Sequence, residues 1–304
     1  MDFFYRDKPW YAGQFVRKVI PKIELTKKSV LFFSALFNKE RHKLLSVLVR
    51  DVNRIFLNTK VNLPIKNGKI NFDFMEDFIE ELEVEHVEEL RAYLSVTGLE
   101  NYTLTLEEHA ALNKLETTNW TSFTIEDVLV WQMGISELNP LHLDSLSVSE
   151  EKKYPFYGQA TANNGIIEYR NLNNHMLNNK LSKPTILIHS NNQNTVYLET
   201  PFYLKDGHGA TSVLQSDHLD KMNAQFIIAA IQKVIFQKFT YNNKATKIAL
   251  KNTKIRLPMK SNNKPDYGYM YDVISAIQKL IIKDVVIYTN KKLALYNEVV
   301  ENQL

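Results

Sequence analysis

Several stretches of this 304-residue sequence concentrate side chains that can read a row of hydrogen-bond donors and acceptors. In "YPFYGQATANNGIIEY" (154–169) they are Gln159, Thr161, Asn163 and Asn164; in "ILIHSNNQNTVYLE" (186–199) they are Asn191, Asn192 and Gln193. In "YNNKATK" (241–247), Lys244 and Lys247 accompany Asn242 and Asn243, and "FYLKDGHGATSVLQSD" (202–217) adds Lys205, His208 and Thr211. Near the N-terminus, Gln14, Arg17 and Lys18 follow Gly13, with Arg50 and Arg54 farther on and the rings of Trp10 and Tyr11 beside the glycine. A carboxamide presents a donor and an acceptor together, which matches an adenine edge, while Lys and Arg match guanine or phosphate. Asn-Asn pairs are also ordinary turn formers, because asparagine tolerates left-handed backbone. It is their recurrence within a basic half of the chain that favours a nucleic-acid surface over plain turns.

Other chemistries find little purchase. The sequence has no cysteine, which removes disulfides, zinc-thiolate sites and cysteine nucleophiles. There is no Gly-x4-Gly-Lys-Ser/Thr loop and no His-Glu-x-x-His helix, and the eight histidines are scattered. The only Asn-Pro, Asn139-Pro140, is followed by Leu rather than by the Pro-aromatic pair of an amino-methyltransferase. Asp144, Glu150 and Lys152 can be laid on an Asp…Glu-x-Lys pattern of Mg²⁺-dependent nucleases. They sit in a Ser-rich loop, however, where any acidic segment beside a lysine pair gives that match, so a solvated loop is the better reading. No cofactor and no metal are expected. The opening "MDFFYRDKPWYAG" lacks a basic region followed by an apolar run, so no signal peptide is expected. Apolar runs such as "FIIAAI" fall far short of the roughly 20 residues that span a bilayer. With no cysteine to oxidise, the cytoplasm is the expected compartment.

The elements that must position these side chains can be read from periodicity. In the second half, 202–217 reads as strand, Gly-rich turn and strand; 221–239 has helical spacing; a loop and a strand end at Pro258; and 266–288 is a long helix. The first half repeats that order: strand, turn and strand over 3–21, a helix over 29–49, the strand "NTKVNLPIK" (58–66), and a closing helix over 72–94. "NTKVNLPIK" returns as "NTKIRLPMK" (252–260) with six of nine positions identical. Gly13 and Gly209 are 196 positions apart, and Asn58 and Asn252 are 194 apart, a difference of one short indel. "TLEEHAALNKLE" (105–116) is a short helix with a Thr105/Glu108 capping box. The second copy alone has a strand-rich opening, "WTSFTIEDVLVWQ" and "KKYPFYGQATANNGIIEYRN"; the first copy is expected to lack those strands, supplied by another chain or lost by truncation. The helices over 72–94 and 270–286 each carry an apolar stripe, so the two are expected to pair.

Charge follows the same division. Residues 1–70 hold 15 Lys/Arg against 5 Asp/Glu, residues 71–151 hold 2 against 19, and residues 152–304 hold 20 against 10. The net charge of +3 therefore hides two basic blocks flanking an acidic one. Basic blocks suit a polyanion, and an acidic spacer is one that nucleic acid avoids.

Together these motifs resemble a known family. "W-x2-F-x-I-x-D" at 120–127 is similar to the start of a target-recognition domain in DNA specificity subunits of Type I and Type IIB restriction–modification systems. "KKYPFYGQATANNGIIEY", "FYLKDGHGATSVLQ", "ALKNTKIRLP" and "DYGYMYDVISAIQKL" resemble its later segments, so 117–290 matches a whole module and 1–95 a second copy missing its beginning. The resemblance implies an α/β (α+β) fold with two target-recognition domains of mixed sheet and helices, separated by long helices that pair as an antiparallel coiled coil. It implies a partial first domain at 1–71, spacer helices at 72–116, a second domain at 117–265, and a C-terminal spacer helix and tail at 266–304. It further implies a non-catalytic subunit that binds one or both halves of a bipartite target in double-stranded DNA and docks the methyltransferase and endonuclease subunits of the same system. The alternatives are the nuclease on Asp144 and Glu150, or a protein-binding remnant of a specificity subunit.

Overall fold

The computed structural model of the chain describes residues 2–47, 49–149, 152–240 and 242–301. The chain divides into two compact units, one of residues 1–101 with 282–304 and one of residues 102–281.

In the first unit, helices α1 (Lys27–Lys39), α2 (Arg41–Leu45) and α3 (Val52–Asn58) precede a hairpin of β1 (Ile65–Lys66) and β2 (Lys69–Ile70), and then helix α4 (Phe72–Val96). The Thr26 side chain caps α1 by accepting from Ser29 N–H, and Asn71 caps α4 by accepting from Phe74 N–H. α1 and α4 pack together: Phe32 meets Phe78 edge-on at 6.0 Å, and Lys28 pairs with Glu80 at 2.7 Å. Glu76 accepts from Thr26 Oγ1 at 2.8 Å and from Ser29 Oγ at 3.0 Å, tying the start of α1 to α4. Farther along, Val87 and Leu94 are buried, as are Val286 and Leu293 of the C-terminal helix, and Lys292 reaches Glu83 at 3.6 Å. The stripe on α4 is thus shared between α1 and the C-terminal helix.

The second unit opens with α5 (Leu106–Asn113), β3 (Trp120–Thr124), a helical turn α6 (Ile125–Val128), β4 (Val130–Trp131) and β5 (Glu137–Leu138). It continues with β6 (Tyr154–Tyr157), β7 (Ile166–Arg170), β8 (Thr185–His189), β9 (Thr195–Leu198), β10 (Tyr203–Lys205) and β11 (Thr211–Gln215). Helices α7 (Lys221–Lys238) and α8 (Lys247–Lys251), strand β12 (Lys254–Pro258) and helix α9 (Tyr267–Glu301) complete the chain, α9 running from the second unit into the first. One sheet has the order β5-β10-β6-β7, a second β4-β11-β8-β9, and β12 pairs with β3.

Strand alternation explains why these layers stack. Ile186 and Ile188 of β8 face a core with Ile227, Ile231 and Ile235 of α7 and Ile255 and Leu257 of β12. Leu187, between them, faces the opposite side, against Val196, Phe202, Leu204 and Val213. β8 is buried along its whole length, as expected of a strand covered on both faces. Beyond the other sheet, Phe156 and Tyr203 pack on Leu138, Leu143, Leu172 and Leu177. Glu108 of α5 is buried; it accepts from Thr105 N–H at 2.7 Å in the expected capping box, from Ser275 Oγ at 2.6 Å, and from Lys279 Nζ at 2.9 Å.

The repeated order is visible in the fold. Thr26 and Asp220, each capping a helix by its side chain, are 194 positions apart, as are Pro64 and Pro258. In both copies the prolyl carbonyl accepts from the residue that caps the long helix: Asn71 N–H to Pro64 O at 2.9 Å, and Asp266 N–H to Pro258 O at 2.8 Å. Several readings differ from the structure, among them the helix over 29–49, which is divided into α1 and α2 with Glu40 between and ends at Leu45. Residues 3–21 form a turn after Gly13 but no strand, and of "NTKVNLPIK" only Ile65 and Lys66 are in a strand. A strand needs a neighbour for its N–H and C=O groups. In the second unit β3 pairs with the whole of β12 and β4 and β8 pair with β11, whereas among the described residues of the first unit none does so for 59–64 or 15–19. A further difference is α8, a helical turn capped by Thr246 inside a segment read as loop.

Candidate functional site

The sheets put the candidate loops at one edge. The β6–β7 connection (158–165), the β8–β9 turn (190–194), the β10–β11 turn (206–210) and the segment leading into α8 are linked by hydrogen bonds. Asn191 Nδ2 donates to Gln159 Oε1 at 2.6 Å, Asn192 Nδ2 donates to the Gln159 carbonyl, and Asn194 Nδ2 donates to Ala160 O at 3.0 Å. Ser190 N–H donates to Ala210 O at 2.8 Å, and Ala245 N–H donates to Ser190 O at 3.2 Å.

Within this cluster the predicted residues divide into those that hold the loops and those that face solvent. Asn191 and Asn192 are engaged by Gln159, and Gln193 is buried with its Nε2 donating to Ser190 O at 3.2 Å. Thr211 is buried against His189, whose Nδ1 lies 2.9 Å from Thr211 Oγ1. Burial pushes the His189 imidazole down to about 4, so it is neutral at physiological pH. Thr161, Asn163, Asn164, Lys205, His208, Lys244 and Lys247 are exposed. Asn163 and Asn164 both have left-handed backbone, with φ of 49° and 50°, which asparagine accepts more readily than most residues.

The glycine turn is held by a residue that no sequence motif marks. Glu137 Oε2 accepts from Gly207 N–H at 3.1 Å and from Gly209 N–H at 3.0 Å. Asp206 accepts from His208 N–H at 2.9 Å, and that bond holds its carboxyl below the usual range. A β-carbon at Gly207 would lie 2.9 Å from Gln159 Nε2, so the end of the Gln159 side chain would have to shift to admit one. Gly209 has φ of +74°, and a β-carbon there would sit 3.8 Å from Lys247 Nζ, so the lysine overhangs the turn. Glu137 is 70 residues from Gly207, and no local pattern connects them.

The first-unit candidates are arranged differently. Gln14 and Lys18 are exposed in irregular chain, and Arg17 Nε donates to Asn53 Oδ1 at 3.1 Å. Arg54 and Arg50 both lie near Asp51, at 3.4 Å and 3.9 Å. Trp10 and Tyr11 are both exposed.

Asp144 does not face a second catalytic carboxylate across a metal site. Arg170 bridges it, at 3.0 Å, to Glu168, at 2.9 Å. Glu150 lies outside the described residues, and among those described no group of three His, Asp or Glu side chains is arranged to hold a metal ion. A guanidinium between two carboxylates is a structural ion pair, and the nuclease alternative finds no support. Among the described residues, no helix is long and apolar enough to cross a membrane.

The chain is similar to known proteins. The family model for the Type I restriction modification DNA specificity domain matches residues 1–92 and 118–286. A curated relative, the Type II restriction enzyme BgcI specificity subunit S.BcgI of Heyndrickxia coagulans, is 19% identical over 288 residues, covering 92% of this chain and 75% of the relative. Among solved structures, the S subunit of a Type-I restriction-modification system from M. genitalium is 15% identical with a TM-score of 0.44, covering 86% of this chain and 70% of that one. The HsdS subunit from Thermoanaerobacter tengcongensis is 15% identical with a TM-score of 0.35, covering 81% of this chain and 57% of that one.

Proposed function

The chain belongs to the Type I restriction modification DNA specificity domain family, and on that premise we propose that its second unit reads double-stranded DNA with the loop edge of its two sheets. What supports this reading is the convergence of segments spread from 158 to 247 on one edge, with exposed lysines above and carboxamides within. The exposed amides Asn163 and Asn164, with His208, supply donors and acceptors for base edges. Lys205, Lys244 and Lys247 supply phosphate contacts that carry affinity but no sequence preference. Gln159, Asn191, Asn192, Gln193 and Thr211 act one step back, fixing the loops that carry the reading groups. In the first unit, Gln14, Arg17, Lys18, Arg50 and Arg54 are the cationic and amide groups for the other half of a two-part target.

The chain acts as the non-catalytic recognition subunit. Methyltransferase and endonuclease subunits of the same system dock on it and supply the chemistry, in the cytoplasm where such DNA is met. The acidic face of α4 keeps that spacer off the DNA and leaves it to those partners.

Replacing Lys244 and Lys247 together by Ala tests the loop assignment. Each lysine–phosphate pairing removed reduces the slope of log affinity against log salt by about 0.9. The double variant is therefore expected to flatten the slope by about 1.8 and to weaken all duplexes alike, measured by fluorescence anisotropy from low to physiological salt. An unchanged slope overturns the assignment.

A further inference from the structure

Gln159 holds the loop edge together with only half of its carboxamide. Its Oε1 accepts from Asn191 Nδ2 at 2.6 Å, and its backbone carbonyl accepts from Asn192 Nδ2. The next residue is pinned as well, since Asn194 Nδ2 donates to Ala160 O at 3.0 Å. These bonds fix where the carboxamide sits and which way round it faces. The other half is free: Nε2 has two N–H donors, and no bond from it joins any described residue. Gln159 is half-buried, and Nε2 is not among the buried side-chain atoms without a partner, so solvent reaches it. The glycine turn makes room for it, because a β-carbon at Gly207 would lie 2.9 Å away. The β8–β9 turn thus takes the acceptor of Gln159, and the donors are left beside the β10–β11 turn. A glutamine that is free to turn suits adenine, by presenting a donor and an acceptor side by side. With Oε1 turned to Asn191, that two-sided contact is lost.

We propose that Gln159 reads a base as well as bracing the loops, and that Asn191 restricts it to donating, so that it selects guanine at one position of the target. In the major groove guanine offers N7 and O6, two neighbouring acceptors for the two N–H groups. Thymine offers O4 alone. Adenine and cytosine place an amino group there, which would meet the NH2 of Gln159 donor to donor. A donor left unpaired in a closed interface is penalised by its lost hydration. Asn191 is then a positioning residue: it touches no base, and its bond to Oε1 decides which end of the Gln159 amide faces the groove. The proposal rests on the reading that the second unit binds DNA through this edge, and adds the class of base that one side chain takes.

The test is selection of duplexes from a randomised pool on the full chain, with the bound fraction sequenced. Gln159→Glu keeps an oxygen for Asn191 and the backbone carbonyl for Asn192, and turns the outward group from donor to acceptor. Asn191→Asp reaches the same end from the other side: a carboxylate cannot donate, so the Gln159 amide turns its NH2 inward and leaves Oε1 outward. The unaltered chain is expected to favour guanine over adenine or cytosine at one motif position, by about tenfold or more. Both variants should move that same position to cytosine or adenine and leave the other positions as they were. Their added negative charge lowers affinity for all duplexes alike. Gly207→Ala, whose β-carbon displaces the NH2 group, should weaken the preference at that position alone. The proposal is overturned if the motif persists unchanged through Gln159→Glu and Asn191→Asp, or if the position that moves is adenine or cytosine in the unaltered chain. It is also overturned if both variants lose preference at every position together, which would make Gln159 a brace only. An unaltered chain that selects no motif contradicts DNA reading by the second unit, and the proposal falls with it; a motif that the variants leave unchanged overturns the proposal alone.

Discussion

The repeated phrase provides an internal control for the cost of one leucine. Leu257 and Leu63 occupy the same position in the two copies, but Leu257 is 0% exposed between β3 and α7 and Leu63 is only partly buried. Leu257→Ala leaves a cavity that walls on every side keep open, and such changes cost about 2–5 kcal/mol. Leu63→Ala removes the same three carbons, at about 0.8 kcal/mol each when fully buried, from a site already half in water; about 1 kcal/mol is expected. With a urea slope of about 2 kcal/mol/M, these values correspond to midpoint shifts of about 1.5 M and about 0.5 M. Pulse-labelling hydrogen exchange across a urea series reports each unit separately. The Leu257 variant should shift only the second unit and the Leu63 variant only the first, by about a third as much. A Leu63 variant that costs as much as the Leu257 variant would refute the reasoning, because it would mean that 59–64 is packed against a partner strand in solution.

Two further predictions concern buried and bridging carboxylates. Burial works against the charge on Glu108, but hydrogen bonds from Ser275, Thr105 and Lys279 outweigh it and hold the carboxyl below its ordinary value. A depressed folded-state pKa stabilises above the unfolded value of about 4.3 and is lost as pH falls through the folded one. The second unit should therefore lose stability below about pH 4.3, and Glu108→Gln should shrink that acid dependence while costing about 3 kcal/mol at neutral pH through an uncompensated Lys279; thermal melts across pH read both. Glu137→Ala should free the 206–210 turn, speeding exchange at the Gly207 and Gly209 amides by about tenfold or more and weakening DNA binding without changing its salt slope. An altered slope would instead place Glu137 among the groups that act on phosphate.

Much of the fold was readable because it is local. The helices α1, α4, α7 and α9 announce themselves by apolar spacing, and the capping box at Thr105 and Glu108 by its four-residue pattern. The two unformed strands of the first unit were not readable, because a strand's existence depends on a partner elsewhere in space. α8 escaped because it is a single turn behind an Asn-Asn-Lys segment whose composition reads as loop. Composition picked out the loops that the sheets bring together, but not the hydrogen bonds their side chains make. That Asn191 serves Gln159, 32 residues away, and that Glu137 holds a turn 70 residues away, are consequences of sheet order.

Methylome sequencing of cells that express this chain with the methyltransferase proposed as its partner tests the central claim most directly. Modified bases are expected within one recurring motif, and a changed motif is expected when Asn163 and Asn164 are replaced by Ala. Methylation with no common motif, or the same motif in cells without this chain, would contradict DNA reading by the second unit.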